Sequence, residues 1–370
     1  MAITNRLMWG SLVLAGTLAA AGCGGGGSGS DSGSGDSNTG EASVNYNGPG
    51  SKWDVALHED GSFDITRRET PLTPIDLTVS GSYQRLDSGY LQLVVEEATG
   101  TDAPVAGDQA WALEVPGYAF LLKPMDGDQV IAMVTAGSCP DGDLAANWVM
   151  VKGHSDSDAS SDSRDYFGTF EFDSSTGTPS LPTKHALTSG FPLVTDGGID
   201  GSGTCEDGLM LVGEEPDIAA MYLTENGGAI VQTNINSETD SSFIFGLTAD
   251  AVDGSDLDGD FAGMLFDDNM SDGTQINPVA FSCSGSVCEG YLVEDIETGA
   301  ASEEGVTITF SGSLSDNFVT GVIQDSDSNS GNLACMVDLN ANDTDSTIAS
   351  CVGQSPGDNS KMFNVLLVSK

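Results

Sequence analysis

Residues 75–96 read IDLTVSGSYQRLDSGYLQLVVE, and this stretch decides the fold class. Apolar and β-branched side chains alternate with polar ones along Ile75 to Leu86 and again along Tyr90 to Glu96. Asp87-Ser88-Gly89 separates the two runs with residues that favour a tight turn. A period of two on both sides of a turn is typical of a β-hairpin, because successive side chains of a strand point to opposite faces of the sheet. The stretch therefore predicts two antiparallel strands.

The same pattern continues through the chain from Ser51 onward. Short segments rich in Val, Ile, Leu, Thr and aromatic residues are separated by turn signals such as Pro116-Gly117. Residues 44–250 are accordingly predicted to form an antiparallel β domain, with one candidate for a short helix at residues 214–221. The polar run Asp250 to Asp258 is the best boundary, and residues 251–370 are the second predicted domain.

The second domain contains eight predicted strands joined by links rich in Asp, Ser, Asn and Gly. They are Gly259 to Phe266, Pro278 to Cys283, Cys288 to Asp295, Gly305 to Ser311, Asn317 to Gln324, Asn332 to Leu339, Ser346 to Val352 and Met362 to Val368. Eight antiparallel strands are what an up-and-down barrel of the lipocalin kind needs, and such an interior just holds one small apolar ligand. A β-sandwich fits the same pattern. The predicted fold class is therefore all-β, with antiparallel sandwich or barrel domains.

The N-terminus has a different composition. Asn5-Arg6 precedes an apolar segment, Leu7 to Ala21, which is shorter than the roughly 20 residues of a membrane-spanning helix. The small residues Ala20, Ala21 and Gly22 lie directly before Cys23. Residues 1–23 thus resemble a bacterial lipoprotein signal with its lipobox, although Ala20 stands where that family more often has a bulky aliphatic residue. An ordinary secretion signal with an incidental cysteine is the alternative.

The resemblance implies that residues 1–22 are a signal peptide and that Cys23 becomes the lipidated first residue. Several acyl chains hold a protein to a bilayer more firmly than one chain does. In lipoproteins of this kind an Asp after the cysteine favours the inner membrane, whereas Gly24 follows here. The sequence therefore predicts a lipid-anchored protein of the bacterial outer membrane, with its facing left open.

Residues 23–43 form the predicted tether. After the cysteine they are almost entirely Gly, Ser, Asp, Asn and Thr, which bury too little apolar surface to offset the entropy of ordering. A flexible coil of this length has an end-to-end distance of roughly 25 Å. The glycine run is also similar to the tethers of large surface lipoproteins of the transferrin-binding B type.

The chain is strongly acidic, with 11 Lys and Arg against 56 Asp and Glu and a net charge of −45. Removal of the signal takes away Arg6 and no acid, and no Lys or Arg lies between Lys184 and Lys361. Because phosphate backbones and anionic headgroups repel such a chain, nucleic-acid binding is excluded. A solvated acidic surface and the binding of divalent cations are the two remaining interpretations of the charge.

Six cysteines remain after Cys23, an even number that favours disulfides in an exported protein. They are Cys139, Cys205, Cys283, Cys288, Cys335 and Cys351. Sequence alone does not fix their pairing, but locality favours Cys283 with Cys288, Cys335 with Cys351, and Cys139 with Cys205. Zinc ligation is the alternative, and the absence of a CxxC spacing or a nearby histidine disfavours it.

Acidic residues at alternate positions make calcium the one candidate cofactor. The candidate ligands form two runs, Asp256, Asp258 and Asp260, and Asp325, Asp327 and Asn329. Oxygen ligands with this spacing suit calcium, although neither run completes an EF-hand loop. Chance spacing in an Asp-rich chain is the alternative interpretation.

No catalytic motif is found, and the chain is predicted not to be an enzyme. Residues 353–357 read GQSPG, which matches the G-x-S-x-G form of a hydrolase elbow, but no histidine follows His185, so this segment is interpreted as a turn. The three histidines, His58, His154 and His185, show no common spacing and are predicted to be surface residues.

Two functions compete for this acidic, anchored β protein. The first is a non-catalytic carrier whose barrel-like domain holds a lipid, a hydrocarbon or a similar apolar small molecule. The second is a surface adhesion or protein-interaction module without a ligand cavity, with an outer-membrane protein as partner. A closed barrel with an apolar lumen favours the first function, and an apolar exterior patch favours the second.

Overall fold

In the computed structural model, the described residues are 43–48, 53–68, 73–125, 130–135, 139–140, 142–152, 166–194, 203–206, 208–212, 219–223, 229–232, 242–267, 275–339, 341, 346–359 and 361–370. The predicted signal peptide, Cys23 and nearly all of the tether lie outside these residues. None of the described helices is long and apolar enough to cross a membrane. The described chain is almost entirely β-strand, arranged as two closed barrels and one open sheet.

The first barrel contains the hairpin of residues 75–96 and closes where its first strand pairs with its eighth. Its strands are β1 Ser43–Asn47, β2 Trp53–His58, β3 Ser62–Arg68, β4 Ile75–Arg85, β5 Leu91–Gly100, β6 Gln109–Val115, β7 Ala119–Pro124 and β8 Ile131–Thr135. Every second side chain points inward and joins one buried cluster, as Phe63 and Ile65 do on β3. The alternation seen in the sequence is thus the alternation between barrel interior and exterior.

The middle unit is an eight-stranded antiparallel sheet in the order β11-β10-β9-β16-β15-β14-β13-β12. Its strands are β9 Leu144–Lys152, β10 Tyr166–Asp173, β11 Thr178–Ala186, β12 Cys205–Glu206, β13 Leu209–Val212, β14 Ala219–Leu223, β15 Ala229–Gln232 and β16 Ser242–Leu247. The backbone N–H of Gly203 donates to the Gly177 carbonyl at 3.0 Å, which brings the two edges of the sheet together at one point. Trp148, Phe170 and Met221 belong to a cluster of buried side chains within this sheet.

The second barrel closes through pairing of β17 with β24. A short 3₁₀ helix, Gly254–Asp256, precedes it. Its strands are β17 Gly259–Asp267, β18 Gln275–Ser284, β19 Val287–Asp295, β20 Ala300–Ser313, β21 Phe318–Asp325, β22 Ser330–Asp338, β23 Ile348–Gln354 and β24 Met362–Ser369. The interior holds a cluster of buried side chains that includes Phe261, Phe281 and Phe310. The expected eight-stranded barrel is confirmed, and the chain is all-β as predicted.

One apolar cluster joins the three units. It combines outward side chains of β6 to β8, side chains of the middle sheet such as Phe167, and outward side chains of the second barrel such as Phe318. Tyr90 Oη lies 2.7 Å from Gly263 O and 2.6 Å from Val279 O, so the hydroxyl is satisfied across the contact. Burial raises the pKa of Tyr90 above its ordinary value. The two barrels and the sheet therefore pack as one body.

Two sequence expectations differ from the structure in detail. Residues 44–250, expected as one antiparallel domain, contain both the first barrel and the middle sheet. The helix expected at residues 214–221 is wrong for its last three residues, because β14 begins at Ala219 and pairs with β13 and β15. The remainder of that stretch lies outside the described residues.

Candidate binding site

The two ends of the first barrel have different surroundings. One end carries the turns 59–61, 86–90 and 116–118. Tyr90 and Tyr118 at this end contact the second barrel, where Tyr118 Oη donates to Asp338 Oδ2 at 2.5 Å. Ser43 pairs with His58, so the chain enters β1 at this same covered end. The opposite end, called the mouth below, is formed where β3, β5 and β7 end and β2, β4, β6 and β8 begin.

An apolar cavity of about 40 Å³ lies inside the barrel at the mouth. Its walls are mainly aliphatic and aromatic, with Phe63, Ile65, Leu77, Val79, Leu93 and Leu122 among them. Three large apolar side chains lie exposed at the mouth: Ile75 is 46% exposed, Val105 53% and Met125 42%. Single exposed apolar residues are common, but apolar side chains gathered at a concave site mark binding surfaces.

Arg67 is the polar feature of the cavity wall. It follows Phe63 and Ile65 at the next inward position of β3, and its guanidinium lies 5.7 Å from the centroid of the Trp53 ring. Arg67 Nη2 lies 2.8 Å from Asp76 Oδ2, and Nε lies 3.3 Å from Oδ1 of the same carboxylate. Nη2 also donates to the Thr101 carbonyl at 3.0 Å. The fork of the guanidinium is thus held in place by a bidentate ion pair.

The remaining donors of Arg67 are available to a ligand. Within the described chain, Nη1 makes no hydrogen bond, and the side chain is 14% exposed. Asp102, in the loop between β5 and β6, also lines the cavity and adopts a φ of 52°. Asp tolerates this left-handed conformation better than most residues. The site therefore combines an apolar wall, one oriented donor and one carboxylate.

The disulfides follow the three pairings that locality favours. Cys139 bonds to Cys205, which ties the segment after the first barrel to β12. Cys283 bonds to Cys288 across the β18–β19 hairpin, and Cys335 bonds to Cys351 between β22 and β23. The last two disulfides lie inside the second barrel.

The acidic runs proposed as calcium ligands serve as turn and cap residues where the structure describes their contacts. Asp258 Oδ1 accepts from the Gly285 N–H at 2.6 Å, and Asp256 completes a capping box with Asp253. Asp325 accepts from both the backbone N–H and the side-chain amide of Asn329. Among the described residues, no group of three or more His, Cys, Asp or Glu is arranged to hold a metal ion. Calcium binding by Asp256, Asp258, Asp260, Asp325, Asp327 and Asn329 stays a prediction.

His185 is buried, so its prediction as a surface residue is wrong. Its Nε2 lies 2.8 Å from Asp316 Oδ2, its Nδ1 lies 2.9 Å from Phe191 O, and its ring stacks on Phe167. Because Asp316 belongs to the second barrel, the contact joins that barrel to the middle sheet. His58, beside Asp64, is partly exposed, and His154 lies outside the described residues.

The turn predicted at residues 353–357 begins later than expected, because Gly353 and Gln354 are the last residues of β23 and the chain turns at Pro356 and Gly357. Ser355 follows the end of β23, and its hydroxyl donates to Asp267 Oδ1 at 3.1 Å. Ser355 is 2% exposed, and the chain turns immediately after it.

Sequence reasoning missed Trp53 and Arg67. The sequence did contain a signal for Arg67. It stands two positions beyond Ile65 on β3, where the alternation predicts an inward, apolar side chain. An arginine on the inward side of a strand breaks the alternation that the rest of the barrel obeys. The assembly of the cavity from seven strands and one loop has no comparable signal.

No protein-family model and no curated protein matches the chain. Among solved structures, the isotype 1 transferrin binding protein B from serogroup B Neisseria meningitidis is similar at 11% identity and a TM-score of 0.28, over 86% of this chain and 65% of that one. The transferrin binding protein B vaccine antigen from Haemophilus parasuis Hp5, as a mutant, gives 11% identity and a TM-score of 0.27, with the same coverage. This chain thus spans 65% of the length of each. Because the TM-scores are low, the fold and site rest on the strands and contacts of this chain alone.

Proposed function

We propose that this protein is a lipid-anchored, non-catalytic protein of the bacterial outer membrane that binds a protein partner at the mouth of the first barrel. The observation that carries the binding proposal is the apolar cavity at the mouth, with exposed Ile75, Val105 and Met125 beside it. The anchor is inferred from residues 1–23, in which a short apolar segment leads to Cys23.

The size of the cavity favours a protein partner over an apolar small molecule. The cavity measures about 40 Å³, whereas an engineered apolar cavity that binds one benzene molecule measures roughly 150 Å³. A lipid tail or hydrocarbon chain exceeds that volume further. The interior of the second barrel, where a ligand was expected, holds a packed cluster that includes Phe261, Phe281 and Phe310. A single side chain inserted from a partner surface matches the space better than a carried lipid does.

The placement of the tether also supports a partner at the mouth. Residue 43 lies at the covered end of the first barrel, so the described chain begins at the end opposite the mouth, and the proposed anchor precedes it in sequence. As the flexible coil predicted from its composition, the tether of residues 23–43 would reach roughly 25 Å. The mouth is therefore free to face away from the point of attachment, toward another protein.

Photocrosslinking tests the binding site in cells. A photoreactive amino acid is placed at Val105, at the mouth, or at Val322, which is 40% exposed on the outside of the second barrel. We expect a discrete cross-linked protein from position 105 and none from position 322. Equal cross-linking from both positions, or a product from Val322 alone, contradicts the site.

The anchor has its own test, which is independent of the mouth. Cys23→Ser removes the thiol that would be acylated, so palmitate labelling and retention in the membrane fraction are expected to be lost together. Unchanged labelling of the mutant contradicts the lipidation of Cys23. Lipid extracted from the purified protein and detected by mass spectrometry in equimolar amount would support the carrier function instead.

A further inference from the structure

The volume of the cavity limits what enters the mouth. A buried water needs about 10–15 Å³ of such space, so about 40 Å³ holds roughly three groups of that size. The isopropyl end of a valine or leucine side chain contributes three carbon atoms. A phenyl ring or a longer alkyl chain is too large without rearrangement of the walls. The cavity therefore selects a short, branched aliphatic group.

The charges at the mouth decide which polar group accompanies this aliphatic group. Arg67 and Asp102 are the two charged residues in the cavity wall, and Asp76 already pairs with Arg67. Arg68, next to Arg67 in sequence, pairs with Asp54 at 2.8 Å. Because Arg67 is matched by Asp76, the described cavity wall offers no excess positive charge to a free carboxylate, which Asp102 would repel. Nη1 of Arg67, which makes no hydrogen bond to the described residues, can donate to an acceptor, and a neutral amide carbonyl supplies one.

We infer that the partner inserts the branched end of one valine or leucine side chain into the cavity, while a backbone carbonyl of the partner accepts a hydrogen bond from Arg67 Nη1. This inference rests on the proposed function and specifies the chemistry of the partner at the same site. Ile75, Val105 and Met125 then cover the residues that flank the inserted side chain. The ligand is thus a neutral, aliphatic stretch of polypeptide.

A small amide that carries the same aliphatic and carbonyl groups tests this binding mode without the unidentified partner. The probe is N-acetyl-L-valine N-methylamide, titrated into the full chain carrying Cys23→Ser and followed by methyl NMR. We expect saturable shifts at the cavity residues Leu77, Leu122 and Ile131, with a Kd on the order of millimolar. Ile308, inside the second barrel, serves as the unshifted reference. The phenylalanine analogue and sodium decanoate are expected to bind at least fivefold more weakly.

Two substitutions test the apolar and the polar contact separately. Ala110→Val places two more carbons in the cavity and is expected to weaken probe binding at least tenfold. Arg67→Met removes the donor and is expected to weaken it about fivefold, the effect of one hydrogen bond. The methyl spectrum of the second barrel shows whether each variant is folded. Unchanged affinity in both folded variants overturns the inference.

The free acid N-acetyl-L-valine tests the charge argument. We expect it to bind more weakly than the amide to the unsubstituted chain and to recover affinity in Asp102→Asn, which removes the opposing carboxylate. Tighter binding of the acid or of decanoate to the unsubstituted chain overturns the assignment of a neutral ligand. If no probe shifts the mouth while cross-linking at Val105 succeeds, this inference fails and the proposed function stands. If cross-linking at Val105 also fails, both are rejected.

Discussion

The two barrels share one topology and differ in how their interiors are completed. Both consist of eight antiparallel strands in sequence order, closed by pairing of the first strand with the last. The second barrel contains two disulfides, and its interior is a packed cluster. The described part of the first barrel contains no disulfide, and its interior opens into the cavity at the mouth. The same fold thus has a packed, disulfide-linked interior in one barrel and a cavity at one end of the interior in the other.

The distribution of cations follows the same division. Arg67, Arg68, Arg85 and Lys123 all belong to the first barrel, whereas Lys361 and Lys370 are the only Lys or Arg in residues 251–370. Most of the cations in the first barrel are held by carboxylates, as in the Arg67–Asp76 and Arg68–Asp54 pairs. These paired arginines therefore act as positioned hydrogen-bond donors and do not form a surface of net positive charge.

The largest expected effect on stability comes from the removal of one large side chain from the interior of the second barrel. Phe261→Ala removes a ring that is 1% exposed within its packed interior, so the free energy of unfolding is expected to fall by about 3–5 kcal/mol. Denaturant unfolding measures the loss. Val322→Ala, at an exposed position of the same barrel, is the matched control and is expected to change stability by about 0.5 kcal/mol or less. Equal losses would show that the interior is not packed as described.

Removal of the disulfides is expected to cause the next largest losses in the free energy of unfolding. Loop-closure entropy depends on the sequence separation, which is 66 for Cys139–Cys205, 16 for Cys335–Cys351 and 5 for Cys283–Cys288. Replacement of both cysteines by alanine is expected to cost about 4, 3 and 2 kcal/mol in that order. Denaturant unfolding of the three double variants gives the ranking. A cost for Cys283–Cys288 that exceeds the other two would contradict it.

Sequence reasoning predicted the second barrel better than the first, for a physical reason. All eight strands of the second barrel show apolar alternation bounded by turn residues. In the first barrel seven strands were recognised among the alternating segments from Ser51 onward, but β1, with the sequence SVNYN, was missed. Its first residue, Ser43, was assigned to the tether, and residues 44–47 were placed in the β domain without a strand. The polar composition of β1 hides one inward side chain, Tyr46, which is 1% exposed. Closure of the barrel through β1 and β8 is a long-range contact that no local pattern records.

The candidate site was less predictable than the fold. Its cavity is formed by side chains from Trp53 to Ile131, which lie far apart in sequence and meet only when the barrel closes. The disulfides were accessible to reasoning because two of the three join cysteines close in sequence on neighbouring strands. The burial of His185 could not be predicted from the sequence, because its partner Asp316 lies in another unit.

The same substitution is expected to have opposite effects in the two interiors. Ala349→Val adds two carbons to the packed interior of the second barrel and is expected to destabilise it by about 1–3 kcal/mol. Ala110→Val adds them beside the cavity of the first barrel and is expected to stabilise it by about 1 kcal/mol, since each buried CH₂ contributes about 0.8 kcal/mol. Thermal and denaturant unfolding of both variants measure the difference. Destabilisation of equal size in both would mean that the first interior has no space to fill.

The smallest effects concern exposed turns, where the two barrels are expected to agree. The Asn329 side chain donates to Asp325 in the second barrel, and Ser62 donates to Asp60 in the first, so each hydrogen bond holds the pKa of its carboxyl below the ordinary value of 3.8. A carboxyl whose pKa is lower in the folded state stabilises the fold at pH values above its ordinary pKa. This contribution is lost as the pH falls through the folded-state pKa. Asn329→Ala and Ser62→Ala are expected to raise the pKa of the neighbouring Asp, as measured by NMR titration of the carboxyl carbons. A pKa that rises in one barrel and not in the other would show that the difference between the barrels extends from their interiors to their turns.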